Sequence, residues 1–247
     1  MGEHAPDSES VFTTLRWNDG QVAWLPEHLQ RLEQHANRLG IVWPEDFLQS
    51  LHSTPINGTG NLCRIQLDQN GTITLTLRHS QYPPSPLTAA SQEAPRFPEH
   101  VQGTKHAEWS GYNKARKQSN DKGADIGLLV HDGAVVDGDR CTPILLDIDG
   151  VAFASSPDGG GVDSITLGVL RPSIEAAGIP FRTARLTERL LGRAAEIVVV
   201  GTGVGVAWLN EIDGQRVGTG SAGPLFDTCK GAFDYQLEEA WSQLGDV

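Results

Sequence analysis

Val11-Phe12-Thr13-Thr14-Leu15-Arg16-Trp17-Asn18-Asp19-Gly20 is a β-rich run that closes on an Asp-Gly turn, and the apolar segment Gln21–Leu25 follows it. An Asp-Gly pair between two apolar segments is the strongest short-range hairpin signal, because both residues tolerate a positive φ. The run therefore predicts an antiparallel hairpin at the start of the fold.

The two faces of this first strand differ in character. Side chains alternate between faces in a strand, so the odd-numbered residues of 11–17 share one face, which is apolar apart from Thr13. We predict that this face covers the core. The opposite face carries Phe12, Thr14 and Arg16, and two interpretations are open: it lines a polar pocket, or it meets solvent.

A second hairpin and two helices extend this unit. Asn70-Gly71 separates the apolar segments Asn61–Leu67 and Thr72–Arg78, which predicts the second hairpin. Apolar residues recur at helical spacing over Pro26–Leu39, and a further short helix is predicted over about Pro44–Leu51. Strands and helices segregated in this way make an α+β unit.

The chain changes composition over residues 82–102. This segment holds five prolines together with Ser and Gln, a mixture typical of an extended linker or crossover. We therefore predict a small N-terminal α+β domain over residues 1–101, which includes the linker 82–101, and a larger domain over residues 102–247.

The larger domain mixes strands and helices. We predict helices over about 108–121, 166–177, 187–193 and 225–244, and strands over 126–130, 134–137, 143–148, 151–155, 180–184 and 197–200.

Composition excludes several classes of function. The chain has 247 residues and a net charge of −12 with no basic run, which argues against nucleic acid as a partner. No apolar run approaches the roughly 20 residues of a membrane span. The three cysteines are far apart, so they predict neither a disulfide framework nor a metal site, and we expect a cytoplasmic protein. His28 and His35 on the first helix do not match a zinc motif, and we expect both to be exposed.

Two glycine-rich segments are candidates for anion binding. Gly201-Thr202-Gly203-Val204-Gly205 lies between apolar segments, which indicates a turn between strands rather than a dinucleotide fingerprint. Its backbone N–H groups and the Thr202 hydroxyl also suit a small anion. The segment 158–166 precedes a helix, so its helix N-terminus suits a phosphate, although a plain capped loop is the alternative.

Two basic residues are candidates for cofactor chemistry. Lys105 follows the proline-rich segment and precedes a helix, and a lysine so placed can attack an aldehyde cofactor as an amine nucleophile. The alternative is a solvated surface lysine, as most lysines are. Arg31 is either an ordinary surface arginine or a guanidinium that binds a phosphate.

These motifs, in this order, resemble the fold-type IV pyridoxal-phosphate enzymes, which include branched-chain and D-amino-acid aminotransferases and aminodeoxychorismate lyase. The resemblance runs from about Val11 to Ala240. Its parts are Phe12–Arg16, His28–Leu32, Lys105, Val136–Gly138, Gly161–Thr166, Gly201–Val206, Glu211–Gly214 and Gly223–Leu225. It implies two domains, a small α+β one and a larger pseudo-barrel α/β one.

The resemblance also implies roles for the matching residues. Lys105 would bind the aldehyde of pyridoxal 5'-phosphate covalently and shuttle protons. Arg31 would bind the cofactor phosphate, together with the backbone around Ile165, Thr166, Thr202 and Gly203. Asp137 stands where the family has a glutamate facing the pyridine nitrogen, and an anion there keeps the ring protonated. Aspartate is one methylene shorter, so it must come closer or act through water.

The activity is predicted from Thr14. The Phe-Thr-Thr stretch resembles aminodeoxychorismate lyase, in which the second threonine helps to protonate the departing enolpyruvate. The resemblance then implies conversion of 4-amino-4-deoxychorismate to 4-aminobenzoate and pyruvate, with Arg16 or Arg64 binding a substrate carboxylate. An aminotransferase acting on branched-chain or D-amino acids is the alternative, and a non-catalytic relative is a second one. The family also implies a homodimer.

Overall fold

The computed structural model describes residues 10–81 and 84–244. By their internal contacts, these residues divide into two units. Unit 1 takes residues 10–81, 97–109 and 236–244, and unit 2 takes residues 84–96 and 110–235. The chain therefore passes between the units more than once, whereas the sequence predicted a single boundary near residue 101.

Unit 1 is a six-stranded sheet with two helices. Its elements are β1 (Ser10–Asn18), β2 (Gln21–Ala23), α1 (Leu25–Arg38), α2 (Phe47–Ser53), β3 (Ile56–Gly58), β4 (Leu62–Asp68), β5 (Ile73–Arg78) and β16 (Trp241–Gln243). The strand order is β16-β2-β1-β4-β5-β3.

Both predicted hairpins of unit 1 are present. Asp19 and Gly20 have φ values of 44° and 91°, so they form the turn between β1 and β2 that the Asp-Gly pair predicted. Val11 and Leu15 are fully buried in the core of unit 1 with apolar residues of α1, β4 and β5. The odd-numbered face of β1 therefore covers the core, as its alternation predicted.

Unit 2 contains a ten-stranded sheet, and helices alternate with its strands. Its elements are β6 (Leu87–Glu93), α3 (Ser110–Asp121), β7 (Ile126–His131), β8 (Ala134–Gly138), β9 (Thr142–Asp147), β10 (Ala152–Ala154), α4 (Ile165–Ala176), β11 (Phe181–Thr183), β12 (Leu186–Thr187), α5 (Glu188–Leu191), β13 (Ala194–Gly201), β14 (Gly205–Ile212), β15 (Gln215–Arg216) and most of α6, which begins at Pro224 and ends at Glu239. The main strand order is β11-β10-β9-β13-β14-β6-β7-β8-β12, with β15 paired to β14.

The segment predicted as a linker contains a central strand. β6 lies between β14 and β7 and runs parallel to both. Leu87, Ala89, Ala90 and Gln92 are all buried. Small residues fit a strand covered on both faces, but they give neither the alternation nor the β-branched content by which strands are recognised in a sequence.

The C-terminal helix is shorter than predicted. α6 ends at Glu239, and Trp241–Gln243 forms β16, which pairs antiparallel with β2. This pairing joins residues more than 200 positions apart, so no local pattern could reveal it. Over residues 10–81 and 84–244, the helices are all too short or too polar to cross a membrane.

Candidate active site

The backbone of Lys105 is fixed by two elements of unit 1. Its N–H donates to Nδ1 of His35 on α1, at 3.0 Å, and its carbonyl accepts the N–H of Phe12 on β1, at 2.8 Å. The N–H of Ala107 donates to the carbonyl of Ser10, which extends the pairing with β1. The lysine therefore lies on a short bridge against the edge of the sheet rather than on a solvated loop.

The amine of Lys105 lies among aromatic rings. Its Nζ is 5.0 Å from the centre of the Phe12 ring and 4.5 Å from that of Trp109. The two rings meet edge to face, with their centres 5.2 Å apart. Such rings attract a cation through their negative faces and leave an amine in a partly desolvated place. Lys105 as a whole is half-buried.

Arg31 is buried on the inner side of α1. Its Nη2 donates to the hydroxyl of Thr13 at 2.9 Å, which explains the polar residue on the core face of β1. The same hydroxyl lies 2.6 Å from Nδ1 of His28. The hydroxyl accepts from Arg31, and the tautomer of the His28 ring decides whether the hydroxyl donates to Nδ1 or accepts from it.

The prediction that His28 and His35 are exposed is wrong. Both lie on the face of α1 that also buries Arg31 and Leu32, and a spacing of three and four residues puts them there. Burial, followed by the positive charge of Arg31, lowers the pKa of His28 well below 6.5 and that of His35 to about 3. Both imidazoles are therefore neutral, and each can accept a hydrogen bond.

Thr14 and Arg64 lie side by side on the second face of the unit 1 sheet. They are direct cross-strand partners of β1 and β4. Thr14 is buried, and its hydroxyl has no hydrogen-bond partner among the residues that the structure describes. The Arg64 guanidinium lies 3.7 Å from the centre of the Phe12 ring. Burial, followed by the positive charge of Arg78, lowers the pKa of Arg64 to about 10.

Arg16 follows Thr14 on the same strand face and is half-buried. The face predicted to meet either a polar pocket or solvent is therefore mostly withdrawn from solvent. It combines a hydroxyl with cationic groups beside the aromatic ring near Lys105, an arrangement that suits a carboxylate ligand.

Asp137 is one of several buried carboxylates of unit 2. Its Oδ2 accepts the N–H of Val162 at 2.9 Å, and its Oδ1 accepts the hydroxyl of Thr142 at 3.3 Å. Asp137 is 5% exposed, which shows that β8 presents it to the interior although it is charged.

Glycines bring three segments of unit 2 close to Asp137. A Cβ on Gly161 would lie 2.5 Å from the carbonyl oxygen of Val136, and one on Gly138 would lie 2.6 Å from Sγ of Cys141. A Cβ on Gly201 would lie 3.1 Å from the carbonyl oxygen of Arg140. The approaches at Gly161 and Gly138 exclude larger residues, and the approach at Gly201 is tight. Gly161 brings the segment that leads into α4 against β8, which carries Asp137, and Gly201 brings the end of β13 against Arg140 and Cys141, which follow β8.

The predicted phosphate-binding residues lie in those two segments. Ile165 and Thr166 begin α4, whose first N–H groups have no acceptor within the helix. Ser164 caps this helix by accepting the N–H of Leu167. Thr202 and Gly203 form the turn between β13 and β14, as the strand context predicted. Both segments therefore present backbone donors of the kind that bind phosphate.

Sequence reasoning missed His106. This residue is fully buried, its ring centre is 4.4 Å from that of Phe97, and neither ring nitrogen has a partner among the described residues. Burial lowers its pKa to about 4, so the ring is neutral. Its position next to Lys105 was the available signal.

Comparison with known proteins identifies the class to which this fold and site belong. A family model described as amino-transferase class IV matches residues 10–212, and the chain belongs to this family. A D-alanine aminotransferase of Listeria monocytogenes serotype 4b (strain F2365) is 24% identical to the chain, over 97% of the chain and 89% of that relative.

Solved structures share the fold at low sequence identity. A branched-chain amino acid aminotransferase of T.th., complexed with N-(5'-phosphopyridoxyl)-L-glutamate, matches with a TM-score of 0.76 and 19% identity, over 96% of the chain and 90% of that structure. A Legionella pneumophila protein, named provisionally as a 4-amino-4-deoxychorismate lyase, matches with a TM-score of 0.75 and 15% identity, over 92% of the chain and 91% of that structure.

These findings confirm the predicted fold and the predicted family. Class IV aminotransferases and their lyase relatives are pyridoxal-phosphate-dependent enzymes, so the expectation of such an enzyme is confirmed at the level of the family.

Proposed function

We propose that this protein is a pyridoxal-phosphate-dependent lyase that converts 4-amino-4-deoxychorismate to 4-aminobenzoate and pyruvate, a reaction of folate synthesis. The observation that carries this proposal is the hydroxyl of Thr14. It is buried on the strand face beside Phe12 and has no partner among the described residues. An unsatisfied buried hydroxyl costs stability, about 1–3 kcal/mol, so a ligand that uses it would explain why it is there.

The cofactor fits the residues that each unit provides. Unit 1 offers the amine of Lys105 and the buried guanidinium of Arg31. Unit 2 offers the buried carboxylate of Asp137, with glycines at positions where a Cβ would collide with neighbouring backbone. When bound, pyridoxal phosphate supplies an electron sink for the bonds of an attached amine.

The residues of this chain then have separate tasks. Lys105 would bond to the cofactor aldehyde and, when the substrate amine displaces it, would supply a free amine as a base. Arg31 binds the phosphate through charge-assisted hydrogen bonds, with the backbone at Ile165, Thr166, Thr202 and Gly203. Asp137 holds a proton on the pyridine nitrogen.

Two proton transfers and one bond cleavage complete the reaction. The Lys105 amine removes the proton from the ring carbon that bears the substrate nitrogen. The C–O bond to the enolpyruvyl group breaks, and the substrate ring becomes aromatic. Thr14 helps to deliver a proton to the departing enolpyruvate, which leaves as pyruvate. Arg16 and Arg64 bind substrate carboxylates, and the substrate carries two.

An aminotransferase is the second candidate. The D-alanine aminotransferase relatives cover 96–97% of the chain, and they favour an enzyme that transfers an amino group from an amino acid to a 2-oxo acid. Lys105 and the phosphate-binding residues would serve this reaction equally well, so only substrate trials distinguish the two. We further propose a homodimer located in the cytoplasm, which sedimentation of the purified protein and fractionation of cells would test.

One set of assays tests the proposal. The purified protein, loaded with pyridoxal phosphate, is given 4-amino-4-deoxychorismate, and separately D-alanine, leucine or glutamate with a 2-oxo acid. Aminobenzoate and pyruvate in equal amounts support the lyase. Sustained formation of a new amino acid, with no aminobenzoate, contradicts it and supports the aminotransferase. Borohydride treatment should label Lys105 in either case, and absence of label on Lys105 would contradict both.

Matched variants test the covalent step. Lys105→Ala is expected to abolish turnover and labelling. Lys114→Ala, which changes an exposed lysine of α3, is expected to retain both.

A further inference from the structure

The backbone N–H and the backbone carbonyl of Lys105 are both hydrogen-bonded, and the partner of the N–H is a side chain. The N–H donates to Nδ1 of His35 and the carbonyl accepts from Phe12. A backbone N–H is more often satisfied by a carbonyl than by a ring nitrogen. The position of the His35 imidazole therefore determines the path of the backbone at Lys105.

The chemistry of this hydrogen bond restricts the state of the imidazole. Nδ1 can accept only if the ring is neutral and carries its proton on Nε2. His35 is 7% exposed, and its surroundings on α1 and on the Lys105 segment are cationic or neutral: Arg31, Arg38, Lys105 and His106. Burial, then the charges of Arg31 and Lys105, lower the pKa of His35 to about 3, so the accepting form persists over the whole neutral range.

The same helix carries Arg31 one turn before His35. Residues four apart on an α-helix are neighbours on one face, separated by about 6 Å along the axis. Both side chains are buried on that face. α1 therefore fixes the distance between the guanidinium and the peptide group of Lys105.

Strand β1 also links Arg31 to the peptide group of Lys105. Thr13 accepts the guanidinium of Arg31, and its neighbour Phe12 donates to the carbonyl of Lys105. Three hydrogen bonds thus close a ring through three covalent stretches, which are residues 31–35 of α1, residues 12–13 of β1 and Lys105 itself. A displacement of the lysine relative to the arginine must break at least one of these bonds.

We propose that His35 is a positioning residue, which holds the peptide of Lys105 through Nδ1 so that the lysine amine stays at a fixed distance from Arg31. The inference rests on the proposed covalent role of Lys105. A ligand bonded to the lysine at one end and bound by the guanidinium at the other requires that distance to be constant, because misplacement of about 1 Å can cost two orders of magnitude in rate. In this role His35 acts through the peptide group of Lys105, to which it is hydrogen-bonded.

The wild-type protein provides the first test, and it needs neither cofactor nor activity. Nitrogen-15 chemical shifts of histidine in the cofactor-free protein distinguish the two neutral tautomers and the cation. His35 is expected to carry its proton on Nε2 from pH 8 down to pH 5. A proton on Nδ1, or a cationic ring at pH 6, overturns the proposal.

Variants provide the second test. His35→Asn keeps an acceptor, since Oδ1 of asparagine is bonded to Cγ just as Nδ1 of histidine is. His35→Leu removes the acceptor and leaves the Lys105 N–H unpaired. Gln34→Leu introduces the same leucine at the neighbouring, exposed position of α1 and is the matched control.

Amide hydrogen exchange at Lys105 is measured in each cofactor-free variant. Exchange is expected to be at least tenfold faster in His35→Leu and within about threefold of wild type in His35→Asn and Gln34→Leu. In the loaded enzyme, the midpoint of the pH titration of the visible absorption band, which reports protonation at the Lys105 nitrogen, should move in His35→Leu and return in His35→Asn.

The outcomes separate this inference from the proposed function. Unchanged exchange at Lys105 in His35→Leu, or failure of His35→Asn to restore the titration midpoint, overturns the positioning role even if Lys105 is labelled by borohydride. If His35→Leu does not fold, the tautomer of His35 in the wild type and the exchange rate of the Lys105 amide in His35→Asn still test the positioning role. Correct exchange and tautomer with no borohydride label would instead contradict the covalent role of Lys105.

Discussion

The carboxylate of Asp137 accepts the backbone N–H of Val162 through Oδ2, at a distance of 2.9 Å. This hydrogen bond joins β8 to the glycine-rich segment that leads into α4. In the proposed function the same carboxylate also faces the cofactor, and substitutions can separate this role from the anchoring of the loop.

We expect Asp137→Asn to preserve the fold and to reduce turnover. The asparagine Oδ1 can still accept from Val162, so the free energy of unfolding should change by no more than about 1 kcal/mol. Loss of the negative charge should lower kcat at least tenfold, because the pyridine nitrogen is no longer held protonated. Denaturant unfolding and initial rates measure the two effects. Asp137→Glu is expected to preserve or raise activity, and a large loss there would show that Asp137 does not face the ring nitrogen.

The Thr13 hydroxyl should matter for both stability and cofactor affinity. Thr13→Val keeps the shape but removes the hydroxyl that accepts from Arg31 and is hydrogen-bonded to Nδ1 of His28, all of them buried. The expected cost is about 1–3 kcal/mol in unfolding free energy, together with a weaker affinity for pyridoxal phosphate. Calorimetric titration measures this affinity, and Arg31→Ala should also weaken it. Thr59→Val, at an exposed position, is the control, and equal affinity in Thr13→Val and wild type would contradict the prediction.

Thr14 should behave in the opposite way. Its hydroxyl has no partner among the described residues, so Thr14→Val should leave the unfolding free energy unchanged or raise it by up to about 1 kcal/mol. If the hydroxyl serves the lyase reaction, formation of aminobenzoate should fall at least tenfold with cofactor affinity intact. Thr14→Ser, which restores the hydroxyl, should recover most of the rate. A valine variant that is both unstable and fully active would refute this role.

Stability should fall as pH decreases below about 6.5. The pKa values of His35 and His106 are lowered to about 3 and about 4 by burial, so near pH 5 the unfolded chain binds protons that the folded chain does not. As the pH falls from the unfolded pKa to the folded pKa, each such histidine lowers the free energy of unfolding by up to about 1.4 kcal/mol per pH unit. Burial raises the pKa values of Asp139 and Glu196, which acts in the other direction.

A comparison of variants isolates one histidine from these opposing effects. Urea unfolding at pH 7.5 and pH 5 should show a smaller pH-dependent loss in His35→Asn than in wild type, since asparagine does not titrate. Equal losses in the two proteins would mean that His35 is protonated in the folded state.

The sequence was sufficient for features whose causes are local. Asp19-Gly20 predicted a hairpin because the turn needs two positive φ values, and the helical spacing of leucines predicted α1. The order of weak motifs from Phe12 to Gly223 indicated the family, since each motif is a short run of residues adjacent in the chain.

Tertiary structure alone determined the features that depend on distant partners. The hydrogen bond from Lys105 to His35 spans 70 positions, and nothing near either residue signals it. A histidine on a polar helix can face either solvent or the interior. The burial and the lowered pKa of His35 therefore depend on the residues that pack against it in the folded protein. The strand of small residues in β6 and the strand at Trp241 are further cases. Their stability comes from neighbouring strands, and the free energy of sheet pairing is not encoded in either strand alone.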